Sequence, residues 1–369
     1  MAIKSILKRQ FLWISLCAAV ASLGFWSCVR QELDKTVQKA YELRMNGKAD
    51  EAFTMLEQVI AEDSTNAAAW YELARTKHHI GLGNLRELLG GLENMQQTIE
   101  KAVEYDPDNV IYSFYKGYVC YFRAYASFMR EQPDANEKVK EVISAYESVL
   151  SLKPDYYEAM LYLVEVLGIP EDMGGDKSKA EQYARQLEGM DSVFGAKARS
   201  ILLPEEVDRV DYWQKVLKKH EGNADVIEEL GKAYLRADKV DRAVSYFEKA
   251  IEIDPEKASL FLDLSIYHTF RGMRAGNDKE LLQTSITLGD AAVARYIKSE
   301  PIQPMLAYAL GVRSKYKSFS GDKEQGQALF KQAEALDRYF SKATGAPHPD
   351  LFIPPGEVSQ NHRYLMRPF

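Results

Sequence analysis

The chain has 369 residues, of which 46% are apolar and 27% are charged, so it can bury a large core and is not of low complexity. Its formal net charge is −7. This acidic balance does not favour binding to nucleic acid or to an anionic membrane surface.

The chain opens with a short basic stretch and an uncharged apolar run at residues 11–27. Lys4, Lys8 and Arg9 precede the run, which is the layout of a secretory signal peptide. Cys28 follows directly, so residues 1–28 resemble a bacterial lipoprotein leader. That resemblance implies lipidation of Cys28 and a body tethered to the membrane on the periplasmic side of the cell envelope.

Two alternatives for the leader stay open. Cleavage after Ala21 fits the A-x-A pattern of residues 19–21, and an uncleaved anchor over residues 10–29 is about long enough to span a bilayer. Lipidation of Cys28 leaves only Cys120 in the mature chain and no intrachain disulfide, whereas cleavage after Ala21 leaves a Cys28–Cys120 bridge conceivable. Without residues 1–28 the chain keeps 44 Lys and Arg against 54 Asp and Glu, a net charge of −10.

Four prolines predict helix ends, because proline costs about 3 kcal/mol inside a helix. Each follows a charged residue that closes an apolar-periodic stretch: Pro107, Pro154, Pro255 and Pro301. The middle spacing of 101 residues is close to three units of about 34. It therefore predicts two more turns, near residues 191–192 and 222–223.

Residues 224–257 carry the clearest repeat. The pattern consists of Leu230, Gly231, Tyr234, Ala243, Phe247 and Pro255, with Ile227 where a tryptophan is usual. Gly231 and Ala243 are small enough for two antiparallel helices to approach closely. The segment resembles the tetratricopeptide-repeat (TPR) family, which implies an all-α solenoid of stacked antiparallel helix pairs in a right-handed superhelix.

Weaker copies of the pattern predict that the repeat array covers residues 29–340. They lie at residues 33–66, 67–108, 155–192, 258–301 and 302–340. Extra sequence falls within several units, at residues 78–92, 126–138, 168–175 and 270–280. It forms either insertions on one face of the array or longer helices. Residues 341–369 contain five prolines and predict an extended tail.

No catalytic or metal-binding motif is apparent, which predicts a protein without enzymatic activity, cofactor or metal. The six histidines form no i, i+4 pair, and neither HExxH nor CxxC occurs. The segment 174–178, GGDKS, lacks the spacing of a phosphate-binding loop. It instead predicts a turn in which Asp176 caps a following helix.

Residues 111–128 contain eight aromatic side chains, which cannot all face one side of a helix. Either all pack in the core between repeats, or one stripe faces the groove. The first helix of a TPR pair lines the concave groove, so the predicted groove residues are Tyr71, Arg75, His78, Tyr115, Tyr118, Tyr121, Tyr125, Lys232 and Arg236. Matched Lys and Asn positions, which would form a carboxylate clamp, are absent from consecutive units.

The TPR resemblance implies a non-catalytic adaptor of the cell envelope that binds an extended or helical segment of a partner protein in the groove. An alternative is a small-ligand-binding lipoprotein, because the export signal, the long units and the GGD turn also resemble the T-components of TRAP-type transporters. That alternative predicts a closed aromatic pocket near residues 111–128. The oligomeric state is not indicated.

Overall fold

The computed structural model describes residues 34–343, which form α-helices and turns with no strand. The predicted leader, including Cys28, and residues 344–369 of the predicted tail lie outside the described residues. Sixteen α-helices follow one another in this part of the chain. They are α1 (34–45), α2 (Ala49–Glu62), α3 (Ala67–Gly81), α4 (Leu85–Tyr105), α5 (Val110–Met129), α6 (Ala135–Leu152), α7 (Tyr157–Leu167), α8 (Lys177–Met190), α9 (Ser192–Leu202), α10 (Arg209–Leu217), α11 (Ala224–Arg236), α12 (Val240–Ile253), α13 (Leu260–Met273), α14 (Lys279–Ile297), α15 (Gln303–Phe319) and α16 (Lys323–Leu336).

Consecutive helices pack as eight antiparallel pairs, from α1–α2 to α15–α16, and the pairs stack in chain order. The molecule is therefore the predicted all-α solenoid of the TPR type. Two short 3₁₀-helices, Glu171–Met173 and Pro255–Ser259, lie within its turns.

The predicted helix ends are confirmed. Helices α4, α6, α12 and α14 each end two to four residues before the proline that follows. The two turns expected without proline also form, since α8 ends at Met190 and α11 begins at Ala224. Asp176 caps α8 as predicted, because its carboxylate accepts a hydrogen bond of 3.0 Å from the backbone N–H of Lys179.

The pair α11–α12 shows why the repeat pattern requires small residues. A Cβ atom on Gly231 would lie only 2.6 Å from Cδ1 of Phe247, so any side chain there would push the two helices apart. Phe247 is completely buried, as are Ala243 and Ala250 on the same helix. Close approach of the helices thus sets the spacing that the sequence displays.

Most of the extra sequence lengthens helices. Residues 78–92 contain only a three-residue turn, 82–84, and the other long units have turns at 130–134 and 274–278. The apolar residues that follow the first turn keep helical spacing and are buried: Leu88, Leu92, Met95, Ile99 and Ala102. The insertion at residues 168–175 differs, because it forms a loop that contains the first 3₁₀-helix.

The last helix pair contacts the first two pairs, which closes the solenoid at a seam. The seam consists of Asn46, Gly47, Asp50, His79 and Gly83 on one side and of Gln303, Leu336, Asp337, Arg338, Tyr339 and Phe340 on the other. The side-chain amide of Gln303 donates to the carbonyl oxygens of Asn46 and Leu336, both at 2.8 Å. The Asp50 carboxylate accepts from the Tyr339 hydroxyl at 2.6 Å and from Arg338 at 3.1 Å.

Gly47 brings the two sides of the seam into backbone contact. Its φ of +72° lies in the left-handed region, and a Cβ atom at this position would overlap the carbonyl oxygen of Leu336. The seam joins opposite edges of the solenoid, because the turns inside the first two pairs meet the segment that follows the last pair. The described chain therefore completes one superhelical turn and closes on itself.

Candidate functional site: the inner face of the solenoid

In a solenoid of the TPR type the first helices of successive pairs line the concave side of the curve. Neighbouring first helices contact each other through aromatic rings, as between Tyr71 of α3 and Tyr112 of α5 at 4.7 Å, and between Tyr157 of α7 and Phe194 of α9 at 5.1 Å. Neighbouring second helices contact each other through long polar side chains, as between Gln96 of α4 and Glu141 of α6 at 3.5 Å. Side chains of the first helices that point toward the axis of the curve are called the inner face below.

A buried ionic cluster connects α1 and α3 on the inner face. Nε of Arg44 lies 2.6 Å from the Glu72 carboxylate, and Nε of Arg75 lies 3.4 Å from it. The Arg75 guanidinium also donates to the Tyr71 hydroxyl at 3.1 Å and stacks over the rings of Tyr71 and Tyr41. Burial opposes the charge of Arg75, but Glu72, Tyr71 and Tyr115 together outweigh this effect and raise its pKa.

Two adjacent histidines of α3 point to different partners, as expected for residues about 100° apart on a helix. His78 Nδ1 lies 3.3 Å from the Tyr115 hydroxyl. His79 is completely buried, and its Nε2 lies 2.7 Å from the Asp337 carboxylate across the seam. Burial lowers the pKa of His79 and prevails over the Asp337 carboxylate, which acts in the opposite direction. The imidazole is therefore neutral at pH 7 and donates its Nε2 proton to Asp337.

The neutral state of His79 predicts a loss of stability in mild acid. Below the ordinary histidine pKa of about 6.5 the unfolded chain gains a proton that folded His79 does not take. We expect this to reduce the free energy of unfolding by up to about 1.4 kcal/mol per pH unit. Asp337 does not contribute there, because His79 and two backbone N–H groups lower its pKa despite its burial.

Urea unfolding at pH 7.5 and pH 5.5 measures this effect. The variant His79→Gln is expected to show a smaller loss of stability between the two pH values than the wild type. Some pH dependence should remain, because burial lowers the pKa of His268 to about 4. Equal pH dependence in wild type and variant would contradict the assignment.

Half of the aromatic side chains of α5 are buried in the core. Tyr112, Phe114, Tyr115 and Tyr118 are buried, and Tyr118 lies 5.8 Å from the ring of His78. The remaining rings, Tyr121, Phe122, Tyr125 and Phe128, are half-buried. The Tyr121 hydroxyl donates to Glu165 of α7 at 2.7 Å. Core packing thus accounts for one half of this aromatic segment, and the other half retains accessible surface.

A second ionic cluster lies on α11, where Lys232 is buried and Arg236 is exposed. Lys232 Nζ lies 2.6 Å from the Glu228 carboxylate, which Lys257 also contacts at 2.7 Å. Burial disfavours the charged form of Lys232, but Glu228, Glu229 and Asp263 together outweigh this effect and raise its pKa. The carboxylate of Glu228 is ionised for the converse reason, since Lys232 and Lys257 outweigh its burial and lower its pKa.

The nine predicted groove residues thus divide by exposure. Tyr71, Arg75, His78, Tyr115, Tyr118 and Lys232 are buried, Tyr121 and Tyr125 are half-buried, and Arg236 is exposed. The structure brings the first five together around α3 and α5, whereas the α11 residues form a separate cluster. The role of all nine residues in binding stays a prediction.

The sequence prediction missed Arg44, Glu72 and His79 on the first helices, and Asp337, which follows α16 and contacts His79. Arg44 and Glu72 had a detectable signal, since both are charged residues within apolar helical stretches. His79 and Asp337 had none, because their contact joins positions 258 residues apart.

A polar cleft of about 550 Å³ lies between α4, α5 and α6. Lys116, Lys140 and Glu137 line it, and none of the α5 rings does. Cys120 is also among the lining residues, and burial raises the pKa of its thiol to about 12. The predicted aromatic pocket therefore does not coincide with this cleft.

Residues 34–343 contain no group of three or more His, Cys, Asp or Glu side chains placed to hold a metal ion. In the same part of the chain, every helix is too short or too polar to cross a bilayer.

The comparisons with known proteins support the repeat assignment. A tetratricopeptide-repeat family model matches residues 224–257. None of the curated proteins matches the chain at a significant level. Among solved structures, a tetratricopeptide repeat protein from Parabacteroides merdae is 15% identical, with 91% of this chain and 99% of that chain covered and a TM-score of 0.30.

Two further solved structures are similar at 20% identity. MamA has 62% of this chain and 94% of its own covered, with a TM-score of 0.27. YrrB, described as a TPR protein with an unusual peptide-binding site, has 54% and 92% covered, with a TM-score of 0.29. None of these similarities identifies a partner for this chain. Residues 224–257 are a tetratricopeptide repeat, and the described chain is an all-α solenoid of the TPR type.

Proposed function

We propose that the protein is a non-catalytic scaffold that binds an extended or helical segment of a partner protein on its inner face. The observation that carries the proposal is that the first helices of neighbouring pairs contact each other directly, as α3 and α5 do. Their charged and aromatic side chains form two clusters there, one on α1, α3 and α5 and the other on α11. A surface assembled from successive helix pairs suits a partner that extends along several of them.

The chemistry of the inner face supports recognition of a polar partner. Buried ion pairs contribute little net stability compared with apolar packing, so their presence on this face favours a role beyond folding. Half-buried tyrosines add apolar area together with a hydroxyl group, a combination common at recognition surfaces. Arg236 supplies an exposed cation at the end of α11.

A pull-down from membrane extract tests the proposal. The variant Tyr125→Ser/Arg236→Glu changes two accessible residues of the predicted groove and should reduce recovery of the partner at least tenfold. The matched control is Arg185→Glu on α8, a second helix, where the side chain is largely exposed. Recovery of no protein partner, or equal recovery by the double variant and the control, would contradict the proposal.

We further propose that Cys28 is lipidated and that the scaffold is tethered to the cell envelope on the periplasmic side. The basic start, the apolar run and the cysteine that follows support this assignment. Mass spectrometry of the mature N-terminus should find a diacylglyceryl group on Cys28, and Cys28→Ser should prevent its attachment. A mature chain that begins at residue 22, or that keeps residue 1, would contradict lipidation.

A second candidate function is binding of a small ligand, as in the T-components of TRAP-type transporters. Closure of the solenoid at the seam favours this candidate, because a closed turn can enclose a compact molecule. Native mass spectrometry of the purified chain distinguishes the two. A stoichiometric small molecule retained without any partner protein supports the second candidate, and its absence together with a captured protein supports the scaffold.

A further inference from the structure

The short segment after α16, residues 337–343, forms one side of the seam and is called the closing segment. Asp337, the first residue of the closing segment, holds the segment in a tight turn. Its carboxylate accepts hydrogen bonds of 2.9 Å from the backbone N–H groups of Tyr339 and Phe340. This tight turn places the Phe340 ring 4.4 Å from His79 of α3. The closing segment therefore packs directly on the second helix pair.

Charged residues of the inner face lie next to this contact. His79 of α3 is completely buried beneath the closing segment, and Arg44 and Glu72 are close enough to influence its pKa. All three are excluded from solvent while the seam is closed. A partner can reach His79 only if the closing segment moves, because Asp337 and Phe340 pack on it.

The topology of the solenoid leads to the same requirement. A segment from the middle of a folded partner has no free end, so it cannot thread through a closed superhelical turn. It must enter sideways, between the first and the last pair. The seam lies at that position.

The contacts at the seam are of a kind that can open without unfolding the helix pairs. The Arg338 and Asp50 side chains are 60% and 54% exposed, and Gln303 makes its two hydrogen bonds at the edge of the molecule. The buried side chains there are Phe340, His79, Asp337 and Ser341. The helix pairs themselves have continuous buried cores, so local opening at the seam requires the loss of far fewer contacts than unfolding.

We propose that the closing segment is a reversible latch that controls access to the inner face, opening at the seam to admit a partner segment and closing around it. That the entering molecule is a segment of a partner protein rests on the proposed function. The opening of the seam does not depend on the proposed function, and it can be measured without any partner.

Chemical modification of histidine by diethyl pyrocarbonate measures the opening on the full chain. We compare His79, which the latch covers, with His268 on α13, which is buried away from the seam. The opening variant is Gly47→Ala, whose methyl group would overlap the Leu336 carbonyl. Its matched control is Gly222→Ala, because Gly222 has a similar φ of +78° and no neighbouring atom that a methyl group would meet.

In the wild type, His79 should react measurably more slowly than the half-buried His220. Gly47→Ala should accelerate modification of His79 at least tenfold and leave His268 unchanged, while Gly222→Ala should match the wild type at both. If Gly47→Ala does not fold, Gln303→Ala, which removes two hydrogen bonds of the seam, should give the same selective acceleration. Equal acceleration at His79 and His268, or none at His79 in either seam variant, would overturn the latch.

The two proposals can fail separately. A chain that shows the selective acceleration and binds no protein retains the latch and loses the scaffold function. A chain that binds a partner in the pull-down without selective acceleration retains the scaffold function and loses the latch.

Discussion

Replacing Glu72 with alanine is expected to lower the free energy of unfolding by about 3–5 kcal/mol, because it leaves two buried guanidinium groups without their carboxylate. Arg44 and Arg75 both contact Glu72, and all three side chains are fully excluded from solvent. The measurement is urea unfolding at pH 7.5, followed by the helical circular dichroism signal.

Two further variants separate burial from charge at this cluster. Glu51→Ala removes the carboxylate of an exposed pair with Lys48 and should leave the unfolding midpoint unchanged. The triple variant Arg44→Met/Glu72→Leu/Arg75→Met should recover most of the stability lost in Glu72→Ala, because it removes every buried charge of the cluster together. A Glu72→Ala variant as stable as the wild type would show that the cluster is not sealed from water.

Replacing Phe247 with alanine is expected to cost about 3–5 kcal/mol, because the ring is completely buried between the two helices of the best-conforming repeat. The ring packs against Gly231, where no side chain exists to fill the space that its removal leaves. Thermal or urea unfolding of the variant measures the loss. Ile253→Ala on the same helix is the control, since its side chain is half-exposed and should lose much less. Equal losses at the two positions would contradict the assigned repeat register.

The local parts of the fold could be predicted from the sequence because they depend on short-range chemistry. Proline is excluded from the interior of a helix, and small residues at fixed spacing specify close helix packing, so the end of α12 and the pair α11–α12 followed directly. The same reasoning predicted the cap at Asp176. The long helix α4 could also have been predicted, because Leu88, Leu92, Met95 and Ile99 keep helical spacing through the extra sequence.

The inner face was only partly predictable because its chemistry depends on tertiary contacts. The offsets of the TPR pattern indicated Tyr71, Arg75 and His78 on α3, and the structure brings them beside Tyr115 and Tyr118 of α5. Burial could not be read from the same offsets. It depends on how tightly neighbouring first helices approach, and that follows from the curvature of the whole array.

The seam was not predictable at all, since no periodic pattern links Gly47 to Leu336. Contact between them depends on the rise and rotation summed over every intervening helix pair. A small difference in each pair, accumulated over the array, would place the two backbones many ångströms apart.

This accumulation has a consequence for how the protein can evolve. Open solenoids tolerate the gain or loss of a repeat, because each unit contacts only its neighbours. Here a duplicated or deleted pair would shift the last pair by one full step along the superhelix and bring a different residue opposite Gly47. The contact between the first and last described helix pairs therefore fixes the number of pairs, so that length variation is confined to the turns and to the sequence beyond the array.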